Sequence, residues 1–316
     1  MAIGSTRRTR REMLASMATL AGGALLSPES FSGSGTAATS GYHPLLSAQT
    51  YIWFQQFQSQ NKTLGEGVEE ALAGLRRAGF RRAEMMSDFL KGEMRAKTLS
   101  LLAKYELKPA TVYAGGTLHE EKAAEDSIAR ILELAKALKG AGTRAIVNNP
   151  NPKPGPERKS DEELKTQARY VNQLGRELQK LGMRFLLHHH TPELVEDARE
   201  WKHLLANTDP GSVFCCVDVD WAVRGGQNPM KFLREVGARL GSLHVRNSKQ
   251  GVWMEEFGEG DHNYLEVADY LKQLNYDGYV VVELAYEKNT KITRSLEENL
   301  RLSRLYAEKV FGLERS

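Results

Sequence analysis

The chain has 316 residues, 41% of them hydrophobic and 26% charged, which is ordinary globular composition and rules out a disordered or fibrous chain. The formal net charge is only +3 and no basic stripe runs along the sequence, which argues against nucleic acid as a partner. The two cysteines, Cys215 and Cys216, are adjacent in an apolar run, so neighbouring strand positions point them to opposite faces. A disulfide framework and a CxxC metal site are excluded, and both residues read as small buried side chains.

Residues 1–40 read as a secretory signal and a flexible segment. Arg7, Arg8, Arg10 and Arg11 precede a short apolar run from 13 to 26, and a Ser/Gly/Ala/Thr stretch follows from 30 to 40. The apolar run is shorter than the ~20 residues that span a bilayer. Thr9-Arg10-Arg11-Glu12-Met13-Leu14 looks like a twin-arginine signal, and no Cys follows the run to carry a lipid. Export to the periplasm or the outside by the twin-arginine route is therefore expected, without a stable membrane anchor. A basic amphipathic tail or an anchor is the competing reading.

The remaining residues, 41–316, read as one domain. Strands are predicted at 48–54, 81–85, 108–112, 145–148, 184–190, 212–219, 242–245 and 279–284. Helical periodicity lies between them. At 64–78 the apolar positions are Val68, Leu72 and Leu75. At 123–138 they are Ile128, Ile131, Leu132, Ala135 and Leu138, and at 163–181 Ala168, Val171, Leu174, Leu178 and Leu181. Further helices are expected at 230–236, 264–274 and 292–310, with weaker patterns at 93–105 and 193–205. Gly79, Gly182 and Gly237 stand where helices would end. Strand–helix alternation predicts a parallel sheet, and eight units in about 270 residues predict an α/β fold, a single (β/α)8 TIM barrel. A doubly wound open sheet is the alternative, but no GxGxxG follows the first strand.

Active sites of such barrels sit at the carboxyl ends of the strands. Read there, the predicted strands supply Glu84, Asn148, the run His188-His189-His190, Asp218 with Asp220, His244, and Glu283. Strands 5 to 8 thus all bring imidazole or carboxylate to one rim, each after an apolar run. Burying bare charges there costs several kcal/mol, and a cation between the carboxylates would offset it. The mixed N/O set suits Mn, Co, Zn or Fe, and less well Ca or Mg. Alternation puts His188 and His190 on one face and His189 on the other, and Asp218 with Asp220 on one face. Each of these residues alone has a plainer reading: a hydrogen-bonded core His, or an Asp that caps a helix. Trp221 and Trp253 could stack on a sugar ring or pack in the core. Arg246 could meet a substrate oxyanion or lie at the surface. Gly225-Gly226 marks a turn or a close backbone approach. The loop 247–263, with Gly251, Gly258 and Gly260, reads as a lid or substrate-recognition element.

At these residues the chain resembles the xylose isomerase-like superfamily and, more narrowly, the sugar phosphate isomerase/epimerase family, also called the AP endonuclease family 2 barrel. The matching pieces are RFLLHHHTPEL (184–194), VDVDWAVRGGQNP (217–229), GSLHVRNS (241–248), GEGDHNY (258–264) and GYVVVELAYE (278–287). The resemblance implies one divalent metal, manganese first and cobalt, zinc, iron or magnesium as alternatives, held by residues of strands 5 to 8. Asp218, His244 and Glu283 match the last three ligands. Strand 5 departs from the family pattern: where sugar epimerases have Glu, this chain has His188. Either His188 is the fourth ligand, which is favoured here, or Glu193 reaches back from one turn on.

The resemblance further implies a small carbohydrate substrate and a metal-dependent isomerase or epimerase working through an enediolate. Glu283 would be the base and His188 or His190 the partner acid, with Glu84, Asn148, Arg246 and Trp253 binding substrate. The same enediolate could expel a β-hydroxyl, making a lyase or dehydratase on a keto-sugar or keto-inositol the competing reading. A non-catalytic sugar-binding barrel is the third. An endonuclease is set aside, since that branch needs more ligands and a basic face. The sequence is silent on oligomeric state.

Overall fold

The structure is a computed structural model that describes residues 41–313. The segment read as a signal, 1–40, lies outside the described residues. In chain order the strands are β1 (Leu45–Gln49), β2 (Arg82–Met86), β3 (Lys108–Tyr113), β4 (Ala145–Asn148), β5 (Arg184–Leu187), β6 (Val213–Asp218), β7 (Leu240–Val245), β8 (Ser248–Lys249), β9 (Val252–Trp253) and β10 (Tyr279–Val282). Among the described residues, β1 to β7 and β10 close a parallel barrel in the order β1-β10-β7-β6-β5-β4-β3-β2. The pair β8–β9 is an antiparallel hairpin outside it. The expected (β/α)8 barrel is therefore the fold.

The helices are α1 (Tyr51–Ser59), α2 (Leu64–Arg77), α3 (Met94–Lys104), α4 (Glu121–Leu138), α5 (Asp161–Lys180), α6 (Thr191–Asn207), α7 (Val219–Arg224), α8 (Pro229–Val236), α9 (Tyr264–Gln273) and α10 (Leu296–Phe311). Several begin where a side chain answers the free N–H groups of the first turn. Thr63 with Glu66 opens α2 and Ser160 with Glu163 opens α5, each as a reciprocal capping pair. Gly79 and Gly182, with φ of 95° and 75°, follow α2 and α5 in the left-handed conformation that ends a helix. Among the described residues, no helix is long and apolar enough to cross a membrane.

Three segments differ from expectation. Only the first two residues of the strand predicted at 48–54 belong to one, and α1 takes over at Tyr51. A short apolar run does not distinguish strand from buried helix by its period. Here the helix wins because Trp53 and Phe57 pack directly over Gly74 and Gly67 of α2, where any Cβ would collide with their rings. β5 stops at Leu187, so His188-His189-His190 lie beyond the strand rather than in it. β6 stops at Asp218, whose side chain accepts the Trp221 N–H at 2.9 Å and caps α7. Asp220 is consequently a helical residue and does not share a strand face with Asp218.

The core has two compartments. A large apolar cluster fills the space between barrel and helices, including Leu187, Cys215 and Val217. Small clusters fill the barrel interior: Ala145, Val147, Leu186 and Cys216 in one, Ala110, Tyr279 and Val281 in another. Alternation carries these interior rows upward into polar residues. Leu186 is followed by His188, Cys216 by Asp218, Ser242 by His244 and Arg246, and Val281 by Glu283. The floor of the barrel is thus apolar and its carboxyl-end mouth is polar, which places the site.

Candidate active site

His244 of β7 is fully buried at the centre of this mouth. Its Nε2 lies 2.9 Å from Glu84 Oε1 of β2, and its Nδ1 touches Glu283 Oε2 just past β10. Both contacts are ion pairs between a buried ring and two carboxylates. Glu84 is itself fixed by Gln49 Nε2 and Thr111 Oγ1, which donate to its two oxygens at 2.7 Å. Asp218 Oδ2 accepts from Arg246 Nη2 at 2.8 Å, and the same nitrogen lies 2.6 Å from Glu283 Oε1. Candidate ligand atoms of Asp218, His244 and Glu283 all fall within 4.8 Å of one another.

Three carboxylates meet two bases here: Arg246 pairs with Asp218 and Glu283, and His244 lies against Glu84 and Glu283. Burial works to raise the Glu283 carboxyl, but Arg246 and His244 outweigh it and hold it well below the usual carboxylate range. Burial raises Asp218, against the pull of Arg246. His244 is raised: burial opposes its charged form, but Cys216, Glu84 and Glu283 more than compensate.

A divalent cation fits these residues. His188 Nε2 is buried without a hydrogen-bond partner among the described residues, and Glu283 Oε2 and the two nitrogens of His244 meet only as ion pairs. An unanswered nitrogen such as His188 Nε2 costs about 1–3 kcal/mol, and a cation held by the neighbouring carboxylates would answer it. Asp218 and Glu283 could hold it through oxygen and His244 through nitrogen.

The three consecutive histidines part company. His188 turns inward, its Nδ1 3.2 Å from the Cys216 carbonyl and its ring 4.8 Å from that of His244. Its candidate ligand atom groups with those of Cys216 and His244 rather than with Asp218 and Glu283. His189 turns outward, as alternation predicts, between Trp201 and Phe232 at 4.9 and 5.0 Å. Its Nε2 accepts the Asp218 N–H at 3.3 Å, so it steadies the ligand strand from behind. His190 packs on Trp221 at 5.0 Å and meets Asn149 Nδ2 at 3.0 Å. Burial lowers His188 well below its ordinary range and brings His190 to about 4. Both rings are neutral at pH 7, so each keeps one N–H that can donate and one bare nitrogen that can bind a cation. Glu193, the alternative ligand, spends Oε2 on the His190 N–H at 2.7 Å and lies in neither ligand group.

Among the expected substrate residues, Glu84 is fully buried with both oxygens engaged, so its contact is His244. Asn148 ends β4, also buried, and donates to the Ala114 carbonyl at 2.6 Å. Arg246 lies inside the cluster rather than at the surface. Trp253, on β9, has the guanidinium groups of Arg224 and Arg246 against its ring at 4.4 and 4.7 Å, and Trp221 stands perpendicular to it at 5.2 Å. Its ring therefore packs within the mouth, against two cations. The loop read as a lid or substrate-recognition element is tied to α7 through Asp220. Asp220 accepts from Ser248 Oγ at 2.9 Å and lies 3.2 Å from His262 Nε2, while Asn247 Nδ2 donates to the Gly258 carbonyl at 2.8 Å. Gly225 packs against Leu194 with no room for a Cβ, and Gly226 has φ of 80°, which accounts for the glycine pair.

Gln49, Thr111 and Cys216 escaped the sequence reading. Cys216 had a signal: it precedes Asp218 by two residues on β6, so the alternation that turns one inward turns both.

Residues 72–306 match the family model described as xylose isomerase-like TIM barrel. Over 168 residues the chain is 27% identical to an inosose dehydratase of Clostridium perfringens, covering 48% of this chain and 56% of that protein. Over 247 residues it is 23% identical to an inosose dehydratase of Geobacillus kaustophilus, covering 68% and 79%. The chain thus spans about half the length of the first of these relatives. A D-allulose 3-epimerase from a Methylomonas species superposes with a TM-score of 0.69 at 16% identity, over 85% of this chain and 98% of the other. With the model matched over most of its length and the barrel closed as that description requires, the chain belongs to the xylose isomerase-like TIM barrel family.

Proposed function

We propose that this protein is a divalent-metal-dependent isomerase or epimerase of a sugar or oxidised sugar derivative, acting by proton transfer at the carbon beside a carbonyl. The observation that carries the reading is the meeting of Asp218, His244 and Glu283 within 4.8 Å, from three strands and buried beside orphaned polar atoms. These three hold the cation, with His188 as the fourth ligand and manganese as the first choice of metal. When bound, the cation supplies Lewis-acid polarisation of the substrate carbonyl.

The chain's own groups do the rest. Glu283, kept ionised by Arg246 and His244, takes the proton from the carbon, leaving an enediolate. Arg246 keeps a positive charge beside the oxygen that gains negative charge. His190, neutral at pH 7 and with Nδ1 turned to the Asn149 amide, offers a ring N–H to the same oxygen, as a neutral imidazole can. Among the described residues Trp221 and Trp253 each keep an indole N–H without a hydrogen-bond partner, and these orient substrate hydroxyls. Asn148 and Glu84 support the wall and His244 respectively.

A metal-dependent dehydratase on a keto-sugar or keto-inositol is the second reading. It is favoured by the matched inosose dehydratases and by His188, which leaves one carboxylate base where epimerases of the family use two. Incubating the manganese-loaded protein with a panel of keto-sugars in deuterated water separates the two. Deuterium entering beside the carbonyl without loss of water supports isomerisation. An enone absorbance supports elimination, and neither signal on any substrate overturns both.

We infer export by the twin-arginine route from the residue pattern of 1–40. Replacing Arg10 and Arg11 together by Lys should retain the protein in the cytoplasm, and unchanged export would contradict this.

A further inference from the structure

We propose that Cys216, His188 and His244 form a second, sulfur-containing cation seat beneath the carboxylate seat, suited to zinc or cobalt rather than manganese. It goes beyond the sugar reading and does not depend on it.

The placement follows from the strand. Cys216 sits two residues before Asp218 on β6 and belongs to the interior cluster with Ala145, Val147 and Leu186. Cys215 belongs to the outer cluster, on the helix side. Candidate ligand atoms of His188, Cys216 and His244 lie within 4.8 Å of one another, and all three side chains are fully buried. Around a tetrahedral zinc, ligand atoms stand about 3.5 Å apart, given metal–ligand bonds of about 2.0–2.3 Å. Small side-chain rotations close that difference.

An independent feature points to a ligand here. His188 Nδ1 faces the Cys216 carbonyl at 3.2 Å, while Nε2 has no partner among the described residues. A metal-binding histidine is commonly held this way, one nitrogen fixed by a backbone carbonyl and the other turned to the ion. The donor chemistry then sorts the ions. Oxygens of Asp218 and Glu283 suit manganese or magnesium, whereas a thiolate with imidazoles suits zinc or cobalt. His244 belongs to both groups, and His188 is also the fourth ligand proposed for the carboxylate seat, so the two seats compete for both rings. On binding, one sulfur–metal and two nitrogen–metal bonds form, the Cys216 S–H bond and one N–H bond of the protonated His244 break, and both protons leave to solvent; nothing is oxidised or reduced.

The test is optical. The full chain, stripped of metal by a chelator, is titrated with cobalt(II) alone and its near-ultraviolet spectrum recorded. A thiolate-to-cobalt charge-transfer band saturating at one equivalent is expected. Cys216→Ser should abolish it and Cys215→Ser should keep it. Absence of the band in the unaltered protein, which requires no variant to fold, overturns the proposal, as does a band that survives in Cys216→Ser. Manganese binding, followed separately by paramagnetic resonance, should be unchanged in Cys216→Ser. A cobalt band without manganese binding sinks the sugar-enzyme reading and spares this one. Manganese binding without the band does the reverse.

Discussion

Glu84 Oε1 lies 2.9 Å from His244 Nε2, so a carboxylate from β2 reaches across the barrel interior to a ring on β7. Glu84 has no exposed surface, and Gln49 and Thr111 hold it from behind. It therefore sets the orientation of His244. Glu84→Gln keeps the volume and removes the charge. Outer partners of this kind change metal affinity or activity by about 10–100-fold when altered. A loss of that size in manganese affinity, with the fold retained by circular dichroism, is expected; undiminished affinity would show that Glu84 does not position the ring.

Trp253 packs against the guanidinium groups of Arg246 and Arg224. A desolvated cation–π contact contributes about 2 kcal/mol. Trp253→Ala should let Arg246 move away from its carboxylates and raise KM roughly 10–30-fold, the same energy expressed as a ratio. Trp253→Phe should recover much of this. Steady-state kinetics on any accepted substrate checks it, and an alanine variant with unaltered KM would contradict it.

Glu193 gives a pH signature. Burial, then Glu200, raise its carboxyl to about 7 in the folded protein. A raised carboxyl binds its proton more tightly folded than unfolded, so its contribution favours folding at low pH. That contribution is lost as pH rises from about 4.5 to about 7, and the span corresponds to at most ~3 kcal/mol. Glu193→Gln should flatten this part of the stability–pH curve and stabilise the protein above pH 7. Denaturant melts at pH 5 and pH 8 measure it; parallel curves for the two proteins would refute the assignment.

Gly225 tests the packing behind the ligand loop. A methyl group there meets the Leu194 side chain. Gly225→Ala should cost about 1–3 kcal/mol of stability through overpacking. A thermal melt no lower than that of the parent would mean that Leu194 yields freely.

The barrel was legible because its signals are local and repeated. Apolar runs alternate with periodic helices, and glycines such as Gly79 and Gly182 mark the stops. Asp218, His244 and Glu283 were legible for a related reason, since each is a polar residue following an apolar strand on the inward side. Legibility failed where tertiary packing decides. Trp53 and Phe57 make α1 a helix only because Gly67 and Gly74 of another helix admit their rings. Arg246 bridges Asp218 and Glu283, a contact between three strands that no sequence window contains. The neutral state of His188 and His190 at pH 7 depends on burial, which residue type alone does not report.

The central claim is that Asp218, His244 and Glu283 together hold one divalent cation. Manganese binding to the metal-stripped chain, counted by paramagnetic resonance, tests it most directly, with Asp218→Asn and Glu283→Gln measured alongside. One manganese per chain in the parent, with affinity reduced at least tenfold in each variant, is the predicted result. No saturable manganese binding in the parent, or affinity unchanged in both variants, would contradict it.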